Sequence, residues 1–339
     1  MSSAPPPTIE EIAADARWLV QALDPASGMV RLIAMDSEAY RAASFLDDRA
    51  LQGPQDFRLA PWSTIAEAAT RIGKNDARWI FHIGHVGSTL MARLLGELPR
   101  VLSIREPRFL RDIATLRPEA RAEFTDAAPS LFSRTFDRND RALVKATSFV
   151  SEIAPDLVSE NGRAVFMYAS APQYIASILA GPASRQELAA YAPNRARRLE
   201  GRGLGIDACH RSEAHAAAAA WACEMTALET AAERLAVGPF WIDFDNALSE
   251  LPGALDRTRL FLGFDASPED VGRIATGPLT QRYSKATEYE YSPQLRGEVI
   301  AQATSEHSGD IRDALAMLED AAQESPLLAR ALHRSSSEA

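Results

Sequence analysis

Apolar positions along this chain change rhythm from segment to segment. Trp79, Ile80, Phe81 and Ile83 form a nearly unbroken apolar run, and Val101, Leu102 and Ile104 form a second. Residues 164–168 form a third. Runs this short and dense suit parallel strands buried on both faces. Between the first two, Leu90, Met91, Leu94, Leu95 and Leu98 recur at helical spacing, and Pro99 stops the pattern. From residue 77 to about 270 such strands alternate with helical stretches, which predicts βαβ units and a mostly parallel sheet, an α/β fold. Residues 182–236 read as mostly helical, with five consecutive alanines inside 213–235, and 292–332 read as terminal helices. The spacing further predicts a helix over 9–23, a strand over 29–35, an acidic turn at Asp47 and Asp48, and a helix over 64–72. The expected organisation is a Pro-rich disordered tail (1–7), a mostly helical cap or accessory region (8–76), an α/β domain (77–332) and a frayed Ser-rich end (333–339).

The most informative stretch joins the first strand to its helix through Gly84, His85, Val86, Gly87, Ser88 and Thr89. Glycines let the backbone turn sharply there and approach a ligand. Such a turn aims backbone N–H groups and a helix N-terminus at one point, which suits a phosphate or sulfate. Ser88 or Thr89 can cap the helix or bond an anion's oxygen. The loop departs from the nucleotide-binding pattern G-x-x-x-x-G-K-S/T, because its glycines are closer together and it holds no lysine. The plainer alternative is a tight turn with a serine cap. The second strand ends in Arg105, Glu106, Pro107 and Arg108. Carboxyl ends of parallel strands face the ligand crevice, so Glu106 belongs beside whatever the loop holds. A bound anion favours proton uptake by a neighbouring carboxylate, which suits a general base. The alternative is that Glu106 pairs with Arg105 or Arg108 at the surface.

Taken in order, these motifs resemble the sulfotransferase superfamily, closest in pattern to its tyrosylprotein branch and to bacterial members. That family carries P-R-S-G-T-T-L where this chain has Gly84 to Leu90, and G-E-E-T-R where it has Ile104 to Arg108, with no gap between them. The resemblance spans residues 77–300. It implies a three-layer P-loop NTPase-like fold and the donor 3′-phosphoadenosine 5′-phosphosulfate, with no metal. The acceptor would be an unidentified hydroxyl or amine. It also implies roles: Glu106 as base, Lys145 on the transferring group, Ser177 on the donor's 3′-phosphate, and Ser284 and Lys285 closing over the donor. Two positions depart from the family. His85 stands where the loop carries Lys or Arg, and Ala169 stands where an arginine binds the 3′-phosphate. Arg195, Arg197, Arg198 and Arg202 form a basic cluster that either supplies the missing charge or makes a solvated face.

Composition narrows the alternatives. With 36 basic and 46 acidic residues the net charge is −10, which argues against a general nucleic-acid binder. The first residues lack the basic and apolar regions of a signal peptide, and no apolar run reaches membrane-helix length. Two cysteines, Cys209 and Cys223, make no disulfide scaffold and no zinc spacing, consistent with a cytoplasmic protein. His82 and His85 fall in different local structures and make a poor metal pair. A homodimer is left open. Two other function classes remain: an atypical P-loop kinase or hydrolase, with Trp241-Ile-Asp-Phe-Asp245 as an element resembling one that helps hold magnesium, and a non-catalytic binding protein of this fold.

Overall fold

The computed structural model describes residues 5–51, 56–206, 211–280 and 292–337. Its centre is a five-stranded parallel sheet of β4 (Arg78–His82), β5 (Val101–Arg105), β6 (Arg141–Lys145), β7 (Arg163–Tyr168) and β8 (Phe240–Asp243), in the order β5-β6-β4-β7-β8. Ahead of it lies an antiparallel sheet of β1 (Trp18–Asp24), β2 (Met29–Ala34) and β3 (Phe57–Pro61), in that order. The α/β class expected from the alternating pattern is therefore present, with helices flanking the sheet.

β4 is central because every one of its residues is buried. The Trp79 and Phe81 rings stack 5.7 Å apart, and Phe81 meets Phe166 of β7 edge-on. Right-handed crossovers place helix Ser88–Gly96 on one face of the sheet, in contact with Leu251–Leu262. The same rule puts Pro118–Leu131, Ala154–Leu157 and Glu213–Arg234 on the other face. The chain leaves β4 towards one edge of the sheet and returns to fill the other side later. The loop after β4 thus sits at the point where strand order reverses, where open α/β sheets leave a crevice.

The N-terminal region departs from the expected helix over 9–23. A capping box from Thr8 starts a helix at Ile9, but it ends at Ala14. Apolar residues at 19, 20, 22 and 23 satisfy either period locally, and the turn decides between them. Asp24 accepts hydrogen bonds from Ala26 N–H and the Ser27 hydroxyl, Gly28 takes φ +67°, and β1 pairs with β2. The region is a small sheet with short helices, not a mostly helical cap. Helix Pro326–Ser337 runs into the Ser-rich end, where Arg334 donates to Glu229 (2.6 Å) and lies 3.9 Å over the Trp241 ring.

Arg105 ties the central sheet to the N-terminal region. It points away from Glu106, is 2% exposed, and donates to the carbonyls of Tyr40, Arg41 and Ala43 at the end of helix Ser37–Ala42. Burial pulls its pKa down to about 10. The Arg105 carbonyl accepts from Leu46 N–H (2.7 Å), so residues 43–49 are anchored along the carboxyl end of β5. Arg108 is also engaged elsewhere, by Asp48 and Asp112. Arg105→Met would leave this set of carbonyls without their donor. We expect urea unfolding to show a loss of about 2–4 kcal/mol.

Candidate functional site

His82 sets the shape of the loop. Gly84 N–H donates to its Nδ1 (2.9 Å), and its Nε2 lies 2.9 Å from the Ala146 carbonyl. One ring nitrogen must accept and the other donate, which is the neutral imidazole with its proton on Nε2. The backbone then runs through left-handed conformations at Gly84 (φ +87°), His85 (+56°) and Gly87 (+58°). Glycine is required at 87 twice over: besides its φ, an added Cβ would fall 2.0 Å from the Phe244 ring. His85 turns its ring edge to Tyr174 (6.3 Å between centroids), with Nε2 4.0 Å from Glu187.

Helix Ser88–Gly96 starts directly at the loop with Gly87 as its N-cap, and no side chain among the described residues caps it. Ser88 and Thr89 lie inside the first turn and do not cap it, and first-turn N–H groups without a side-chain acceptor attract anions. Thr89 Oγ1 is buried without a hydrogen-bond partner among the described residues.

Glu106 faces this helix start from the end of β5. Its φ is +54°, and it precedes Pro107. A non-glycine residue rarely adopts that backbone, and a following proline restricts it further. Glu106 N–H donates to the Lys145 carbonyl (2.7 Å), an extension of the β5–β6 ladder that holds the strained residue in place. One carboxylate oxygen is ion-paired with Lys145 Nζ, and the other lies 3.3 Å from Arg49 Nη2. Lys145 is 1% exposed and Glu106 8%. Strained backbone and buried charge at one position are typical of functional sites.

Gly84, His85, Val86, Gly87, Ser88, Thr89, Glu106, Lys145 and Ser177 all line one cavity of about 560 Å³. Ser177 donates its hydroxyl to the Tyr174 carbonyl (2.8 Å). Ser284 and Lys285 lie outside the described residues. Ala169 is buried, and its carbonyl accepts from the Trp221 indole (3.0 Å).

Several wall residues had no signal in the sequence. Phe45 and Arg49 arrive on the segment pinned by Arg105, Thr147 follows β6, and Arg296 projects from helix Pro293–Glu306. Arg296 is ion-paired with Asp245 and lies 4.8 Å over the Phe244 ring. Its Nη2 is buried without a partner among the described residues. Of the two carboxylates of the magnesium reading, Asp245 is the one paired with Arg296, and Asp243 caps helix Phe244–Ser249 by accepting from Asn246 N–H (3.0 Å). Among the described residues no cluster of three or more His, Cys, Asp and Glu could hold a metal, and no helix is long and apolar enough to cross a membrane.

Of the basic cluster, Arg197 is exposed as a solvated face would have it, but Arg195, Arg198 and Arg202 turn inward, and none of the four lines this cavity. Arg195 and Arg198 both pair with Glu224, while Arg198 and Arg202 share Glu152. Burial pushes the Glu224 carboxyl up, but Arg198 and Arg195 more than reverse this and hold it below its ordinary value. Arg195 and Arg198 instead line a second chamber of about 230 Å³, which shares Arg49, Glu106, Thr147, Ser148 and Glu187 with the first.

No family model matches the chain, and no curated protein matches it. Two solved sulfotransferase domains are similar to it. One, from the curacin biosynthetic pathway, has a TM-score of 0.41 and 13% identity, covering 72% of this chain and 97% of that one. The other, from the Synechococcus PCC 7002 olefin synthase, has a TM-score of 0.39 and 14% identity, covering 73% and 94%. Likeness that loose carries no argument about chemistry, which rests on the residues above.

Two outcomes follow from this geometry. Gly87→Ala forces a Cβ into the Phe244 ring at positive φ. It should cost at least about 1–2 kcal/mol in thermal unfolding and weaken anion binding at the loop. Glu224→Gln leaves Arg195 and Arg198 without their buried counter-charge. The expected loss is roughly 3–5 kcal/mol near neutral pH by denaturant titration. Glu224's carboxyl is depressed in the fold, so its contribution is complete above the ordinary value of 4.5 and fades as pH falls below it. The gap between wild type and variant should therefore narrow in acid.

Proposed function

We propose that this protein transfers a sulfuryl group from 3′-phosphoadenosine 5′-phosphosulfate to a hydroxyl or amine, with Glu106 as general base. The observation that carries this reading is the buried Glu106–Lys145 pair, held on strained backbone beside a helix start without a side-chain cap. A base and a cation in contact, facing an anion-binding turn, are the groups that in-line transfer of an anionic group requires. The order of motifs from Gly84 to Glu106, which resembles the sulfotransferase superfamily, supports the same reading.

In this mechanism the acceptor oxygen attacks sulfur and forms a new O–S bond. Its proton passes to a Glu106 carboxylate oxygen. The bond from sulfur to the bridging oxygen breaks, and that electron pair leaves with the donor's phosphate. Negative charge grows on the leaving oxygen, where fixed cations and N–H dipoles act most strongly in a site shielded from water. Lys145 and the N–H groups at the start of helix Ser88–Gly96 would supply that stabilisation. The reading assigns the donor's 3′-phosphate to the cavity wall that carries Ser177 and Arg296. There the unpartnered Nη2 of Arg296 takes the place of the arginine that Ala169 lacks.

Thermal unfolding with adenosine 3′,5′-bisphosphate, and separately with ATP and Mg²⁺, tests the reading. At a hundred times its dissociation constant, the bisphosphate should stabilise the fold by about 2.7 kcal/mol. Stabilisation by ATP with Mg²⁺ alone would sink the proposal in favour of a kinase or hydrolase, and no response to either would favour a non-catalytic protein. Glu106→Gln should keep bisphosphate binding and lose turnover by roughly 10²- to 10⁴-fold. Equal loss of both would mean that Glu106 serves structure only.

A further inference from the structure

Glu106 lines two cavities, and the second has a chemistry of its own. The chamber of about 230 Å³ is walled by Phe149, Tyr191, Asn194, Arg111 and Arg195, with Thr147 and Glu106 at the boundary it shares with the first cavity. Its aromatic side is built, with the Phe149 and Tyr191 rings 6.1 Å apart and the Tyr191 hydroxyl accepting from Arg111 Nη2 (3.2 Å). Arg195 is nine-tenths buried. Its Nε donates to Glu224 (3.3 Å), but its Nη1 is buried with no hydrogen-bond partner among the described residues. Thr147 Oγ1 is in the same condition. A guanidinium N–H group withdrawn from water without an acceptor is costly, because charged donors lose the most on desolvation.

The charge balance leaves room for an anion. The walls carry four guanidiniums (Arg49, Arg111, Arg195, Arg198) and four carboxylates (Asp47, Glu106, Glu187, Glu224). Behind them Lys145 pairs with Glu106 and Glu152 with Arg198, so the balance is kept. A space sized for a small molecule thus has no net negative charge to repel an anion. A carboxylate answers the orphaned donors, and it fits the planar N–H geometry of a guanidinium.

We propose that this chamber seats the acceptor and that the acceptor is a small hydroxycarboxylate. Its carboxylate is taken by Arg195, its carbon skeleton lies against Phe149 and Tyr191, and its hydroxyl is presented to Glu106. The proposal rests on the sulfuryl-transfer reading for what happens at that hydroxyl, but its binding claim stands alone.

The test uses the full chain saturated with adenosine 3′,5′-bisphosphate, titrated by calorimetry with 4-hydroxyphenylacetate and 3-hydroxypropionate and with the neutral amide of each. At least one acid is expected to bind saturably, about tenfold or more tighter than its amide. Arg195→Gln should abolish that preference. Because Arg195 also partners Glu224, Asn194→Trp serves as the second variant. It fills the chamber while leaving every ion-paired residue unsubstituted, and should weaken the acid about tenfold or more while bisphosphate binding stays unchanged. Acid and amide binding alike, both acids failing to bind, or full acid affinity in Asn194→Trp would each overturn the proposal. If the bisphosphate itself does not bind, the donor reading fails. The acid-to-amide ratio, measured then without nucleotide, still decides the chamber.

Discussion

The contact between Glu106 and Lys145 is the constraint around which the rest of the structure is arranged. Two opposite charges out of water stay ionised only when each is the other's partner and the remaining polar atoms are also satisfied. The sheet meets this demand by register. Arg105 of β5 pairs with Lys145 of β6, so the next residue, Glu106, reaches back over the end of its neighbour. The left-handed backbone at Glu106 is the local consequence, and the ladder hydrogen bond to the Lys145 carbonyl holds it there. A pair of this kind is poor economy for stability alone, since apolar side chains of similar volume would serve as well or better. Its position at the mouth of a crevice, opposite a helix start without a side-chain cap, gives it a use.

The N-terminal region contributes to the site's wall through the segment that joins helix Ser37–Ala42 to β3. Arg105 and the backbone of Leu46 pin residues 43–49 to the carboxyl end of β5. That anchoring brings the Arg49 guanidinium to the second oxygen of Glu106. Arg49 lies 3.3 Å over the Phe45 ring and pairs with Asp47, so its own position is set by its immediate neighbours. The candidate base therefore sits between a buried lysine from the sheet and a half-exposed arginine from the N-terminal region. Any movement of that region would alter the charge balance on Glu106 directly.

Helix Glu213–Arg234 has a comparable role on the far side. Its alanine-rich sequence allows close packing, and it is buried along most of its length. The one acidic side chain it sinks deepest, Glu224, organises Arg195 and Arg198 from helix Pro182–Gly201. In sequence these arginines look like a solvent-facing cluster. In the fold they form the back wall of a chamber that opens on Glu106. The two helices are thus complementary: the first supplies the dry surface, and its Glu224 orients the cations of the second.

Apolar density along the chain marked the strands at Trp79, Val101 and Ala164, and the glycines marked the turn after β4. Those features are local: burial on both faces demands a continuous apolar run, and a left-handed turn favours glycine, although His85 and Glu106 adopt that backbone without one. The order of loop, Glu106 and Lys145 was legible for the same reason, since short βα connections confine each residue to the carboxyl end of its own strand. The helix expected over 9–23 was ambiguous because four apolar positions satisfied two periods, and only pairing with β2 resolved it. Arg49, Arg296 and the Arg195–Glu224 pair were invisible for a different reason. Arg49 lies 57 residues from Glu106, and Arg296 lies 51 from Asp245. Burial and turn geometry are properties that a few neighbouring residues impose on themselves, so the sequence alone determined them. Ion pairing depends on distances between segments far apart in the chain, which no local period encodes, so only the tertiary structure decided which charges meet.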